Sequence, residues 1–250
     1  MGKLELFKLF HKDPFIRRYL PSTVLCNLLT LKSYLLKYKT VFIKPVNGNK
    51  GRGVIKAWKE NGKYAYVIER GNPIYCSNTA EMFQKLRLAK KTHVIQQGIT
   101  LAKIHGRPFD VRLMMMRDRK KNWKYTGMLA KVAGRRSIIT NVARGHGYAE
   151  TVGTALSQSL GSDKNKIARI KNEIIRLGYR CNRVYDRHCY DWQIGYDIGI
   201  DHRGKIWLIE ANPRDPSHIL FDRLKNKSMY RRIQHMTFVY KHHVGKPPST

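Results

Sequence analysis

The chain has 250 residues, with 49 lysines and arginines against 17 aspartates and glutamates, a formal charge of +32. Hydrophobic residues at 42% and aromatics at 10% exclude a disordered basic tail, and no apolar run approaches the ~20 residues that span a bilayer. Residues 1–10 lack the apolar core of a signal peptide, so a cytoplasmic protein of one or two domains is expected. The cations are spread along the chain and imply a polyanionic partner, whether nucleotide phosphates, an acidic substrate or nucleic acid. Cys26, Cys76, Cys181 and Cys189 form no C-x-x-C pair. Cys181, His188 and Cys189 lie close in sequence but match no zinc spacing, so free thiols are expected.

In chain order, residues 1–40 read as mainly helical, with Ser22 as a cap before Leu25, Leu28, Leu29 and Leu35. Strands follow over 41–46, 54–58 and 64–69, with Asn61-Gly62 as a hairpin turn. Thr79 caps a helix to about Lys91 that buries Met82, Phe83 and Leu86, and residues 93–97 return to strand. Further strands cover 109–117, 123–132 and 137–142. A helix from about Asp163 to Leu177 lies between Ser162 and Gly178, with Ile167, Ile170, Ile174 and Leu177 at helical spacing. Strands at 192–201 and 205–211 close the core, and a polar tail from His242 is expected to be loose. The pattern is α+β with mostly antiparallel sheets: a lead-in over 1–40, a small unit over 41–98, a larger one over 99–240, and a tail.

The last two strands carry the most chemistry. Ile194, Tyr196, Ile198 and Ile200 alternate with Gly195, Asp197 and Gly199, so one face is apolar and the other presents a carboxylate between glycines. Pairing Asp201 with Ile206 carries Asp197 opposite Glu210, with Asn212 on the same face. Opposed carboxylates repel unless a cation lies between them, and two carboxylates with an amide oxygen suit Mg²⁺. Salt bridges to the abundant arginines and lysines are the alternative, and a one-residue slip would separate the acids. Lys44 precedes a glycine-rich loop, Asn47 to Gly53, able to bring backbone N–H groups to phosphates, although it is no Walker motif. Asp110 and Arg112 share a strand face, and Lys131 and Arg144 are further candidate cations.

These segments resemble the ATP-grasp superfamily, and most closely its endospore coat-associated YheC/YheD-type branch. The resemblance rests on Ile43-Lys44-Pro45, the loop through Gly53, Phe109 to Arg112, Ile139 to Asn141 with Arg144, and Asp197 through Leu208 to Pro213. It implies ATP clamped between two α+β subdomains. Lys44 would contact the α/β-phosphates, Asn49, Lys50, Gly51, Arg52 and Gly53 would fold over the triphosphate, and Gln96, Gln97 and Ile99 would form the adenine hinge. Lys131 would approach the γ-phosphate or the acyl-phosphate, Arg112 would hold phosphate or carboxylate, and Asn141 and Arg144 would face substrate. Asp197, Glu210 and Asn212 would bind Mg²⁺. The implied reaction joins a carboxylate to an amine through an acyl-phosphate, and the charge favours an acidic peptide or polymer as substrate. The N-terminal domain usual in such ligases is largely absent, so a partner protein or a large substrate would complete the site. A basic coat or nucleic-acid-binding protein on the same scaffold, or a phosphotransferase, are the alternatives.

Overall fold

Two antiparallel sheets organise the chain in the computed structural model, which describes residues 2–46, 53–134, 147–213 and 216–243. The chain opens with helices α1 (Lys3–His11) and α2 (Pro14–Arg17). Strand β1 (Thr23–Leu25), helix α3 (Leu28–Lys37) and strands β2 (Thr40–Pro45), β3 (Ile55–Glu60), β4 (Lys63–Ile68) and β5 (Ile74–Cys76) follow. Helix α4 (Thr79–Lys85) and strand β6 (His93–Gln97) complete the first unit. Its sheet runs β1-β6-β2-β3-β4-β5, and α3 and α4 bury Leu31, Tyr34, Leu35 and Met82 against Ile43, Ala57 and Ile95.

The Asn61-Gly62 hairpin is as expected. Both residues have positive φ, 48° and 76°, a turn whose twist matches the flanking strands. Ser22 does not cap a helix. The residues after it pair with β6 as a strand, and Asn27 caps α3 instead, accepting from the Thr30 N–H at 2.8 Å while Thr30 Oγ1 accepts from the Asn27 N–H at 2.8 Å. β-branched Thr23 and Val24 favour that extended backbone. Leu35 is buried as expected, but Leu25, Leu28 and Leu29 are exposed. Helix α4 is shorter than its apolar spacing suggests. Asn78, one residue before Thr79, caps it, and Arg87 at φ 50° breaks the helix before a 3₁₀ turn over Leu88–Lys90.

The second sheet contains β7 (Lys103–Ile104), β8 (Arg107–Arg117), β9 (Trp123–Val132), β10 (Tyr148–Glu150), β11 (Gln193–Ile200) and β12 (Ile206–Pro213). Their order is β10-β9-β8-β11-β12, with β7 paired to β8. Helices α1, α2, α5 (Val152–Leu160) and α6 (Lys164–Tyr185) cover one face, burying Val111, Leu113, Met115, Tyr196 and Ile198. Asp163 caps α6, which runs on through Gly178 instead of ending there. A Cβ at Gly178 would lie 2.6 Å from Leu113 Cδ2, so this glycine lets the helix approach the sheet closely and is no terminator.

The opposite face is divided. At one end Met114, Met116 and Leu129 pack under Phe221, Leu224 and Ile233, from the region of α7 (Ile219–Asp222) and α8 (Ser228–His243). At the other end the same strands present Asp110, Arg112, Lys131 and Asp197. The strand expected over 137–142 lies outside the described residues. Helix α8 reaches His243, and the rest of the expected tail also lies outside them.

Candidate active site

The charged end of the large sheet is built by register. Arg112 on β8 pairs with Asp197 on β11, which pairs with Glu210 on β12, so three charged side chains form one row across three strands. Asn212 pairs with Gly195, and Lys131 pairs with Asp110, each one step along. The β11–β12 ladder does not follow the expected Asp201–Ile206 pairing. Ile200 pairs with Ile206 and Ile198 with Leu208, which without interruption would put Ile209 opposite Asp197. A β-bulge at Ile209 adds one residue to β12 and restores Glu210 to that place.

The opposed acids are neutralised by the protein's own cations. Arg112 Nε donates to Asp197 Oδ1 at 2.7 Å, and Lys131 Nζ lies 2.8 Å from the same oxygen and 3.2 Å from Asp110 Oδ1. Asn212 Nδ2 donates to Asp197 Oδ2 at 3.3 Å. Glu210 Oε1 lies 3.2 Å from Lys3 Nζ of α1. Burial alone would raise the Asp197 pKa, but Arg112 and Lys131 outweigh it and hold the carboxyl far below the usual range. Burial likewise opposes the charge on Arg112, and Asp197 more than restores it, raising its pKa.

The glycines beside Asp197 have steric roles. A Cβ on Gly195 would meet Pro216 at 2.7 Å and Arg112 at 3.3 Å; one on Gly199 would meet Ile209 and Leu101, both at 2.9 Å. Gly195 therefore leaves room for the Arg112 side chain, and Gly199 lets two apolar side chains meet over the sheet.

A cleft opens beside this row, lined by Lys3 and Phe7 of α1, Lys44, Gln96, Ile209 and Glu210. Lys44 Nζ donates to Gln96 Oε1 at 2.6 Å, and Gln96 Nε2 donates to Thr23 Oγ1 at 3.0 Å. Desolvation lowers the Lys44 pKa, against the pull of Glu210. Gln97 Oε1 accepts from the Ser22 N–H at 3.3 Å, and Ile99 is half-buried. The Gly53 N–H donates to Glu69 Oε1 at 2.7 Å, anchoring the end of the glycine-rich loop.

The structure thus gathers Arg112, Lys131, Asp197, Glu210 and Asn212, with Lys44 and Gln96 at the adjoining cleft. Asn49, Lys50, Gly51, Arg52, Asn141 and Arg144 lie outside the described residues. Sequence reasoning missed Lys3, whose contact with Glu210 spans the chain and leaves no local signal. It also missed the bulge at Ile209. The four cysteines are free, and among the described residues no three His, Cys, Asp or Glu side chains gather as a metal site.

A profile described as YheC/D-like ATP-grasp matches residues 1–244. The chain belongs to the YheC/D-like ATP-grasp family. Two curated members from Bacillus subtilis (strain 168) are similar to it. One is the endospore coat-associated protein YheD, 29% identical over 88% of this chain and 49% of its own length. The other is the endospore coat-associated protein YheC, 22% identical over 80% and 55%. The chain spans about half the length of these relatives. Among solved structures, the ADP complex of PurK, N5-carboxyaminoimidazole ribonucleotide synthetase, superposes with a TM-score of 0.57 at 11% identity. That match covers 95% of this chain and 52% of the other, and shows a shared ATP-grasp fold. Among the described residues no helix is long and apolar enough to cross a membrane.

Proposed function

We propose that this ATP-grasp protein is an ATP- and Mg²⁺-dependent ligase that joins a carboxylate to an amine through an acyl-phosphate. The observation that carries the reading is the row Arg112–Asp197–Glu210 with Asn212 beside it, set next to a cleft that holds Lys44. The donor set fits magnesium: two carboxylates and one amide, all able to offer hard oxygens on one sheet face. Asp197, Glu210 and Asn212 would hold the ion, which when bound supplies charge neutralisation to phosphate oxygens.

Each remaining role falls to a side chain of the protein. Lys44, fixed by Gln96, is a point charge for the inner phosphates. Ile209 and Leu101, meeting over Gly199, give an apolar surface for the base. Arg112 and Lys131 leave Asp197 to hold the γ-phosphate and the substrate carboxylate, bringing nucleophile and phosphorus together. Attack of the carboxylate on the γ-phosphorus would release ADP and give the acyl-phosphate, from which the amine displaces phosphate to form the amide. The net charge of +32 favours an acidic peptide or polymer as the carboxylate donor. Association with the spore coat is carried over from the names of the relatives.

Hydroxylamine trapping tests the reaction. With ATP, Mg²⁺ and oligoglutamate as the acid, a hydroxamate is expected, and its formation should cease in Glu210→Gln. A stable phosphate ester without hydroxamate would replace the ligase with a phosphotransferase. A protein whose melting temperature ignores Mg-ATP would be a binding scaffold.

A further inference from the structure

Helix α1 borders the cleft along its length and is held most deeply toward its C-terminal end. Leu6, Leu9 and Phe10 are buried in the core of the large sheet, whereas Lys3 and Leu4 are half-buried in the cleft wall. The first turn lies at the seam between the two sheets. Gly2 approaches Val46, at the end of β2 just before the glycine-rich loop, and Lys3 Nζ lies 3.2 Å from Glu210 Oε1. An ammonium therefore stands against one of the two carboxylates proposed to hold the metal. A divalent ion on Glu210 would set a second cation beside Lys3 on one carboxylate, and the repulsion between the two weakens the ion pair.

We infer that Lys3 is a built-in counter-cation for Glu210, and that the first turn of α1 is a latch which Mg-nucleotide must displace. The inference rests on the reading of Glu210 as a metal ligand. In the ligand-free state Lys3 neutralises Glu210 and holds the first turn against the cleft. Arrival of Mg-ATP expels the ammonium, frees residues 3–5 from the cleft wall, and leaves Leu6, Leu9 and Phe10 anchored in the core. Binding and release of this turn are thus one equilibrium, and weakening the latch strengthens binding.

Calorimetric titration of Lys3→Ala with ATP in the presence and absence of Mg²⁺ tests this, with amide exchange of residues 6–8 as a second readout. Partly exposed ion pairs contribute modestly, so Mg-ATP affinity should rise about two- to five-fold in Lys3→Ala, while affinity for metal-free ATP should not rise. In the wild type, amide exchange over residues 6–8, whose N–H groups donate to carbonyls of the first turn, should quicken when Mg-ATP is added. If Lys3 instead grips the phosphates, Lys3→Ala weakens binding of both forms, which overturns the latch. Unchanged Mg-ATP affinity with unchanged exchange also overturns it, and leaves the nucleotide site standing. Absence of Mg-ATP binding in the wild type would remove both.

Discussion

Glu210 stands opposite Asp197 because Ile209 is bulged out of the ladder between them and Leu208. In an unbroken strand Leu208 and Glu210 would share a face, and Glu210 would point into the apolar core beside Tyr196 and Ile198. The extra residue breaks the alternation and sends Ile209 and Glu210 to the same open face. An apolar wall and a candidate ligand thus come from adjacent positions.

The two acids should separate stability from binding. Asp197 is buried with two cations, so Asp197→Asn leaves both without their shared charge and should cost about 3 kcal/mol or more of folding stability. Glu210 is about a quarter exposed and pairs only with Lys3 among the described residues, so Glu210→Gln should cost less than ~1 kcal/mol. Both should lose stabilisation by Mg-ATP. Urea titrations with and without the nucleotide check the pair.

Acid should expose the contribution of Asp197. Its carboxyl has a lowered pKa in the folded protein, so its stabilisation is fully present above the ordinary value of 3.8 and is lost as pH falls through the lower, folded value. The difference in urea midpoint between wild type and Asp197→Asn should stay constant near neutrality and shrink below about pH 4. A difference that grows on acidification would contradict the sign.

Lys44 should report the arrival of phosphate. Its pKa is lowered in the free protein, chiefly by desolvation, and a bound triphosphate favours the charged ammonium. Binding should therefore take up a proton in the interval below 10.5, and ATP affinity should fall as pH rises through it. Calorimetry in two buffers of different ionisation enthalpy measures the uptake, which should vanish in Lys44→Met.

Gly195 should not tolerate a methyl group. In Gly195→Ala the new Cβ would press on Pro216 at 2.7 Å and on Arg112 at 3.3 Å. The crowding should cost about 1–3 kcal/mol in a urea titration, and displacement of Arg112 should weaken Mg-ATP binding as well. Wild-type stability with wild-type binding would show that Pro216 simply moves aside.

Much of the site was legible because it depends on short-range alternation. The spacing of Asp197 between Gly195 and Gly199, and of Glu210 before Asn212, already places candidate ligands on one face of a hairpin. The detailed register was not legible. The expected Asp201–Ile206 pairing is off by one near the turn, and the bulge compensates, which no local rule predicts. Helix ends failed for a related reason. Gly178 reads as a stop signal by propensity, but packing against Leu113 and Met115 decides its role. Likewise, β1 belongs to a strand because of β6, some seventy residues later.

Asp110, Arg112, Lys131 and Asp197 together form a buried square of two positive and two negative groups, with no net charge. A bare divalent ion reaching this square meets two cations already seated and finds little to attract it. On the ligase reading proposed above, the nucleotide would have to bring its metal with it, and a free divalent ion alone should stabilise the protein little.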